Sequence, residues 1–223
     1  MKKSNTQKHN NFIITGKLSE GMTSVSCKKG DSDLFGFINT EEKLVIPMVY
    51  SVVWDFKQGL ARVKKDVSSQ NHKWGYINKQ NKEIIPIIYD QIQAVKNGFV
   101  LAYQHKKWGC IDIKTQKTVI PFHYDWIYPW RENVAIIRIG HKYGAYNIKG
   151  NEVIPATYDD LKSFSEGLAA VKLNNKWGFI DKENQIKIPF EYDAVWPFEN
   201  GKAKVYVNTN YGYINKNGES IEQ

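Results

Sequence analysis

Six aromatic–glycine pairs recur along this chain, and their spacing constrains the fold more than any other feature. They are Phe35-Gly36, Trp74-Gly75, Trp108-Gly109, Tyr143-Gly144, Trp177-Gly178 and Tyr211-Gly212, with successive glycines 39, 34, 35, 34 and 34 residues apart. Two positions past each glycine stands Ile or Tyr, followed by Asn or Asp, as in Ile180-Asp181. Five copies then reach an Ile-Pro pair (Ile46-Pro47, Ile85-Pro86, Ile120-Pro121, Ile154-Pro155 and Ile188-Pro189), and a tyrosine follows each proline by three residues. A unit of this size cannot bury its apolar face alone, so the copies must stack.

The frame extends towards the N-terminus, where Ser19-Glu20-Gly21 matches Ser165-Glu166-Gly167 and Phe12 falls at the tyrosine position. The expected organisation is a disordered lead over 1–11 and a single repeat domain over 12–223. Its six units are 12–49, 50–88, 89–123, 124–157, 158–191 and 192–223. Each unit reads as three short antiparallel strands, in the fifth at 168–173, 176–181 and 185–189. Asn174-Asn175 suits the first turn because Asn tolerates positive φ. Pro189 lacks a ladder donor and is expected to stop its strand. The bare glycine is expected to lie under an aromatic from an adjacent strand or unit. No segment shows a 3.6-residue apolar period over helix length. The fold class is therefore all-β, a tandem repeat of six three-stranded antiparallel units. An open β-solenoid is favoured, because propeller blades carry four strands in about 40–45 residues. A propeller-like ring is the alternative, since the linker over 158–167 has room for a short fourth strand.

This pattern resembles the bacterial WG-repeat family, named for its Trp-Gly pair. The residues that carry the resemblance are Lys176-Trp177-Gly178-Phe179-Ile180-Asp181, then Ile188-Pro189 and Tyr192-Asp193, repeated from about Phe12 to the end. Phe35, Tyr143 and Tyr211 replace the tryptophan in three units and keep an aromatic. The resemblance implies a repeat architecture and a general binding role.

No run of about 18 apolar residues is present to span a membrane as a helix. The lead carries Lys2, Lys3 and Lys8, but Phe12, Ile13 and Ile14 are followed at once by Thr15 and Gly16, too short a run for a secretory signal. Cys27 and Cys110 fall at different positions of different units, which is no disulfide framework. A cytoplasmic, reducing location is the expectation. The net charge of +8 favours acidic partners, and it is concentrated in units two and three, with seven basic against three acidic residues and five against two.

Catalytic chemistry finds little support. Asp90, Asp125, Asp159 and Asp193 follow the repeat tyrosines, and near-identical copies cannot supply the two different environments that separate an acid from a base. They read as turn or backbone acceptors. His72, His105 and His141 sit near turns without ligand spacing, and no Gly-rich phosphate loop appears. No metal and no cofactor are expected.

What every unit carries serves the fold, whereas positions that vary are free for binding. One varying row lies in the linker, four residues past each tyrosine: Trp54, Gln93, Tyr128, Lys162 and Trp196. A slot that takes both Lys and Trp is not uniformly buried, although the irregular linker leaves its facing open. A second row is Lys64, Tyr103, Arg138, Lys172 and Tyr206. The residues before them are apolar, so period-two alternation turns this row outward. Trp, Tyr and Arg are favoured at binding surfaces. Trp54, Tyr128, Trp196, Lys64, Tyr103, Arg138 and Lys172 are therefore the candidate partner-binding residues. The expected function is non-enzymatic binding of a macromolecule, in the first place a protein with an acidic surface. One concrete version is an immunity-type role, neutralising a toxin. The alternative is carbohydrate or cell-surface binding, with aromatics as sugar platforms and a need for export. Nucleic-acid binding would draw on the basic units, but no reader motif is present.

Overall fold

The computed structural model describes residues 12–68 and 71–222. The lead over 1–11, expected to be disordered, lies outside the described residues. Among these residues the protein is all-β, and 24 strands form six antiparallel sheets of four. The first sheet is β1 (Ile13–Ile14), β2 (Met22–Lys29), β3 (Ser32–Asn39) and β4 (Leu44–Tyr50); the second is β5 (Val52–Val53), β6 (Leu60–Ser68), β7 (Asn71–Asn78) and β8 (Glu83–Tyr89). The third is β9 (Gln91–Ile92), β10 (Phe99–Gln104), β11 (Lys107–Asp112) and β12 (Thr118–Tyr124); the fourth is β13 (Trp126–Ile127), β14 (Val134–Ile139), β15 (Lys142–Asn147) and β16 (Glu152–Tyr158). The fifth is β17 (Asp160–Leu161), β18 (Ala169–Leu173), β19 (Lys176–Ile180) and β20 (Ile186–Tyr192); the sixth is β21 (Ala194–Val195), β22 (Lys202–Val207), β23 (Asn210–Asn215) and β24 (Ser220–Ile221). Two compact units divide these strands. One holds the chain up to Gln104 with Ile113–Gln116, and the other holds His105–Asp112 and the chain from Lys117 on.

The three strands expected in each unit are joined by a fourth, so the sheets have four strands rather than three. The fourth comes from the linker: in the fifth sheet Asp160 and Leu161 pair with Lys172 and Val171. Two residues flanked by polar neighbours carry too little apolar periodicity to read as a strand. They form one because β18 offers them a free edge.

The aromatic–glycine and Ile-Pro motifs turn out to be two halves of one contact. Between β19 and β20, Trp177 pairs with Tyr192 but Phe179 pairs with Ile188, so the Ile-Pro strand bulges across the intervening glycine. A Cβ on Gly178 would lie 2.6 Å from the Ile188 carbonyl oxygen and 2.9 Å from that of Pro189. Gly36, Gly75 and Gly144 lie under the equivalent backbone, while Gly109 lies under the Phe122 ring. The cover expected from an aromatic is thus supplied mostly by main chain. Pro189 does not end its strand either. The bulge takes up the missing donor, and β20 runs on to Tyr192.

The turns follow from their residues. Asn174 and Asn175 take φ of 50° and 64° between β18 and β19, and Glu166-Gly167 takes 54° and 86° before β18. Asp181 accepts the backbone N–H of Glu183 and Gln185 and so shapes the turn after β19. Asn39, Asn78, Asn147 and Asn215 do the same in their sheets.

Each core lies between consecutive sheets. In the second compact unit, Ala169, Val171 and Ile180 of the fifth sheet pack against Val134, Ile136, Ala145 and Ile154 of the fourth. The other face of the fifth sheet, with Ala170, Trp177, Phe179 and Ile188, packs against Ala203, Val205 and Ile214 of the sixth. In the first unit, Met22, Phe37, Ile46 and Tyr50 meet Phe56, Ala61, Val63 and Ile77. A sheet between two others buries both faces, so its strands lose the simple alternation of a half-exposed sheet.

Candidate binding surface

The charged residues that recur are largely committed to structure. Asp125, Asp159 and Asp193 accept the backbone N–H groups of Gly140, Asn174 and Asn208, and pair with Lys107, Lys142 and Lys176 at 2.6–2.7 Å. The lysine bonds hold all three carboxyls below their ordinary value, with the backbone donors adding to the effect. A second recurring clasp joins consecutive repeats. Glu166 accepts the N–H of Gly201 and pairs with Lys216 at 2.9 Å, and Glu132 and Glu20 make the matching contacts to Gly167 with Lys182 and to Gly59 with Lys79. Where the glutamate becomes Gln58 or Asn97, the lysine position one repeat on becomes Ile113 or Ile148. That matched exchange is readable in the sequence once the contact is known.

Nucleophile chemistry finds no suitable geometry here. Ser51 and His72 both hydrogen-bond to Asp66, at 2.6 and 2.7 Å, which places the carboxylate between the hydroxyl and the imidazole. Activation of a serine needs the imidazole in the middle. Burial pushes the Cys110 thiol up to about 12, far from a reactive thiolate. No group of three or more metal-ligating side chains occurs among the described residues.

The aromatic–glycine rings divide into covered and open ones. Trp108 and Trp177 are buried, as core packing requires, whereas Tyr211 is 51% exposed. Cations or a further ring cover the tryptophans. The Arg62 guanidinium lies 5.5 Å from the Trp74 ring and donates to the Ile92 carbonyl at 3.1 Å. Lys162 Nζ lies 4.7 Å from the Trp177 ring and donates to the Val195 carbonyl at 2.6 Å. Ile92 and Val195 hold the same place in their sheets, so two different positions of the repeat deliver a cation to one spot. Burial pulls the Lys162 ammonium below its ordinary value. On Trp108 the ring of Trp126 takes this place, at 5.3 Å.

Two exposed aromatic–cationic patches remain, one in each compact unit. In the first, Trp54 is 54% exposed and carries the Arg62 guanidinium 4.1 Å above its ring, with Lys64 near Trp74 at 5.9 Å. In the second, Trp196, Tyr206, Tyr211 and Tyr213 form a row with ring centroids 5.3, 5.8 and 6.4 Å apart. Trp196 is 50% exposed. Lys204 Nζ sits 4.0 Å from the Tyr211 ring and 5.2 Å from that of Tyr206. Its bond to the Tyr206 hydroxyl raises the Lys204 ammonium above its ordinary value.

Of the residues proposed from sequence, Trp54 with Lys64, and Trp196, thus lie in exposed patches. Tyr128 is half-buried against the core between the fourth and fifth sheets, and this burial raises its hydroxyl above the ordinary value. Tyr103, Arg138 and Lys172 are also half-buried, opposite Gln91, Trp126 and Asp160 on the short linker strands. The strand row therefore does not face open solvent. It shares its face with Ala170 and Trp177, which the next sheet covers, so alternation marked the opposite face and not an uncovered one. Arg62, Tyr206, Tyr211 and Lys204 were missed as patch residues. Their signal was a charge at a mostly apolar slot: Arg62 and Lys204 stand where three other repeats carry Leu101, Ile136 and Ala170.

The family model described as WG containing repeat matches residues 35–66, 74–108, 108–143, 143–177 and 177–209. No curated protein sequence matches the chain. Among solved structures, Kluyveromyces lactis Hsv2p is similar at 7% identity and a TM-score of 0.39, over 93% of this chain and 75% of that one. A eukaryotic initiation factor is similar at 12% identity and a TM-score of 0.43, over 92% of this chain and 62% of that one. The extracellular domain of a putative hybrid two component system from B. thetaiotaomicron is similar at 12% identity and a TM-score of 0.37; the chain spans 36% of its length.

Proposed function

The chain belongs to the WG-repeat family, and on that premise we propose that it is a non-enzymatic protein-binding module whose contact surface is built from the exposed aromatic–cationic patches. The observation that carries this reading is the Trp196–Tyr206–Tyr211 row. These rings are held in place by one another, with Lys204 among them, yet half of the Trp196 and Tyr211 surface stays open. Pre-ordered aromatics among cations have the composition of a binding hot spot, because they bury large area at little entropic cost. The cations and the net charge of +8 favour a partner with an acidic surface. A narrower version is an immunity-type role against an acidic toxin. A cytoplasmic setting goes with it, supported by the free thiols of Cys27 and Cys110. The same tilted ring row favours a second reading, a sugar chain laid across the rings.

The test is capture from native extract on the immobilised protein, with proteins and glycans both identified. A protein partner should be retained, should be released by added salt, and should bind Trp196→Ala about 1–3 kcal/mol more weakly with the urea midpoint unchanged. Retention of glycans alone would replace the first reading by the second. Undiminished binding by both Trp196→Ala and Trp54→Ala would remove the patches from either.

A further inference from the structure

The sixth sheet lacks the element that roofs the glycine in the other five. A Cβ on Gly212 would meet nothing within 4 Å, whereas Ile-Pro backbone or the Phe122 ring crowds the equivalent glycines. β24 pairs only with Tyr213 and Ile214, so Asn210, Tyr211 and Gly212 have a strand on the β22 side alone. The chemistry of the sequence changes at the same place. Glu222 and Gln223 stand 34 residues after Ile188 and Pro189, and Ile188 is fully buried. A carboxylate cannot take that position, so this strand departs from the repeat.

Beside the open edge is a cavity of about 230 Å³ lined by Tyr192, Val205, Val207, Gly212 and Ile214 among others. Its counterpart in the fifth sheet is filled. There Phe190, the residue after the proline, packs on the cluster that contains Val171 and Ile180, and its ring lies 6.2 Å from that of Tyr158. Tyr158, Val171 and Ile180 are the counterparts of Tyr192, Val205 and Ile214. The molecule therefore shows what this slot accepts: a large apolar side chain that follows a proline on an extended strand.

We propose that the open edge of β23 binds an extended segment of a partner protein bearing proline followed by a large apolar residue. The segment adds a strand beside Asn210–Gly212 and seats its apolar side chain against Tyr192 and Val205. Unpaired edge groups supply the main-chain hydrogen bonds and the cavity supplies selectivity. Lys202 and Lys204 lie on the neighbouring strand, and among the described residues neither forms an ion pair with a carboxylate. An acidic residue flanking the proline complements them. This groove is a different surface from the Trp196 row, and the proposal goes beyond the function proposed above.

The probe is a capped peptide with the sequence of β20, Ile-Lys-Ile-Pro-Phe-Glu-Tyr, titrated into the whole protein and followed by calorimetry. Binding is expected, and at least tenfold weakening when the peptide's phenylalanine is replaced by aspartate. Gly212→Val places a side chain in the slot at a φ outside the left-handed region, and should weaken binding at least tenfold with the urea midpoint unchanged. Val207→Glu, at an exposed wall of the cavity, is the second variant should the first lose stability. No binding by the wild-type protein, or equal binding by both variants, would overturn the proposal. So would a dimer that Gly212→Val dissociates, since the edge would then belong to a second copy.

Discussion

Repeats five and six share one frame and finish it differently. Gly178 and Ile180 of the fifth recur as Gly212 and Ile214, and Asp181 as Asn215, which shapes the same turn. The divergence lies on one face. Leu168, Ala170, Trp177, Phe179 and Ile188 are buried against the sixth sheet, while their counterparts Lys202, Lys204, Tyr211, Tyr213 and Glu222 have no described sheet over them. The aromatic–glycine pair is thus a packing device where a neighbour covers it and a surface feature where none does. Repeat arrays need polar outer faces on such sheets to stay apart from one another, and here the same substitutions also build the Tyr211–Lys204 patch.

Exchanging residues between the two repeats is the sharpest way to break this comparison. Ile188→Glu writes the sixth repeat's residue into the fifth and buries a carboxylate without a partner, with an expected loss of at least about 4 kcal/mol. Glu222→Ile should change stability by less than about 0.5 kcal/mol, both read from urea unfolding. Next in size, Trp177→Ala should cost about 3–5 kcal/mol as a buried aromatic, and Tyr211→Ala less than about 1 kcal/mol. Equal losses at the two positions would show that the sixth sheet's face is as covered as the fifth's.

The smallest expected effect concerns the clasp between the repeats. Glu166 lies below its ordinary value of 4.5, chiefly through its bond to Lys216, and Asp159 and Asp193 lie below 3.8 through Lys142 and Lys176. A carboxyl depressed by folding contributes its stability above the unfolded value and loses it as pH falls through the folded one. The urea midpoint should therefore stay level down to about pH 5 and fall below about pH 4. Glu166→Gln should make that fall shallower, and an unchanged acid limb would remove the clasp from the stability of this junction.

Much of the fold was legible in the chain. The 34-residue period, the three main strands of each unit and the Asn174-Asn175 turn all rest on local chemistry: β-branched and aromatic runs, and side chains that tolerate positive φ. The binding surface was legible only in part. Trp54 and Trp196 stood out as large aromatics in a variable slot, and both are exposed. Tyr128 occupied the same slot and packs on a core, because the surroundings of a linker residue come from its neighbours and not from its own position in the repeat.

The sequence by itself determined the repeat, its all-β class and its family, since periodicity and turn chemistry act within a few residues. Tertiary structure alone decided that both faces of an inner sheet are covered, that a two-residue linker strand completes each sheet, and that Ile-Pro main chain lies over the glycine. It also decided which aromatic rings stay open. Alternation along a strand assigns residues to two faces, but whether a face is buried depends on the sheet packed against it.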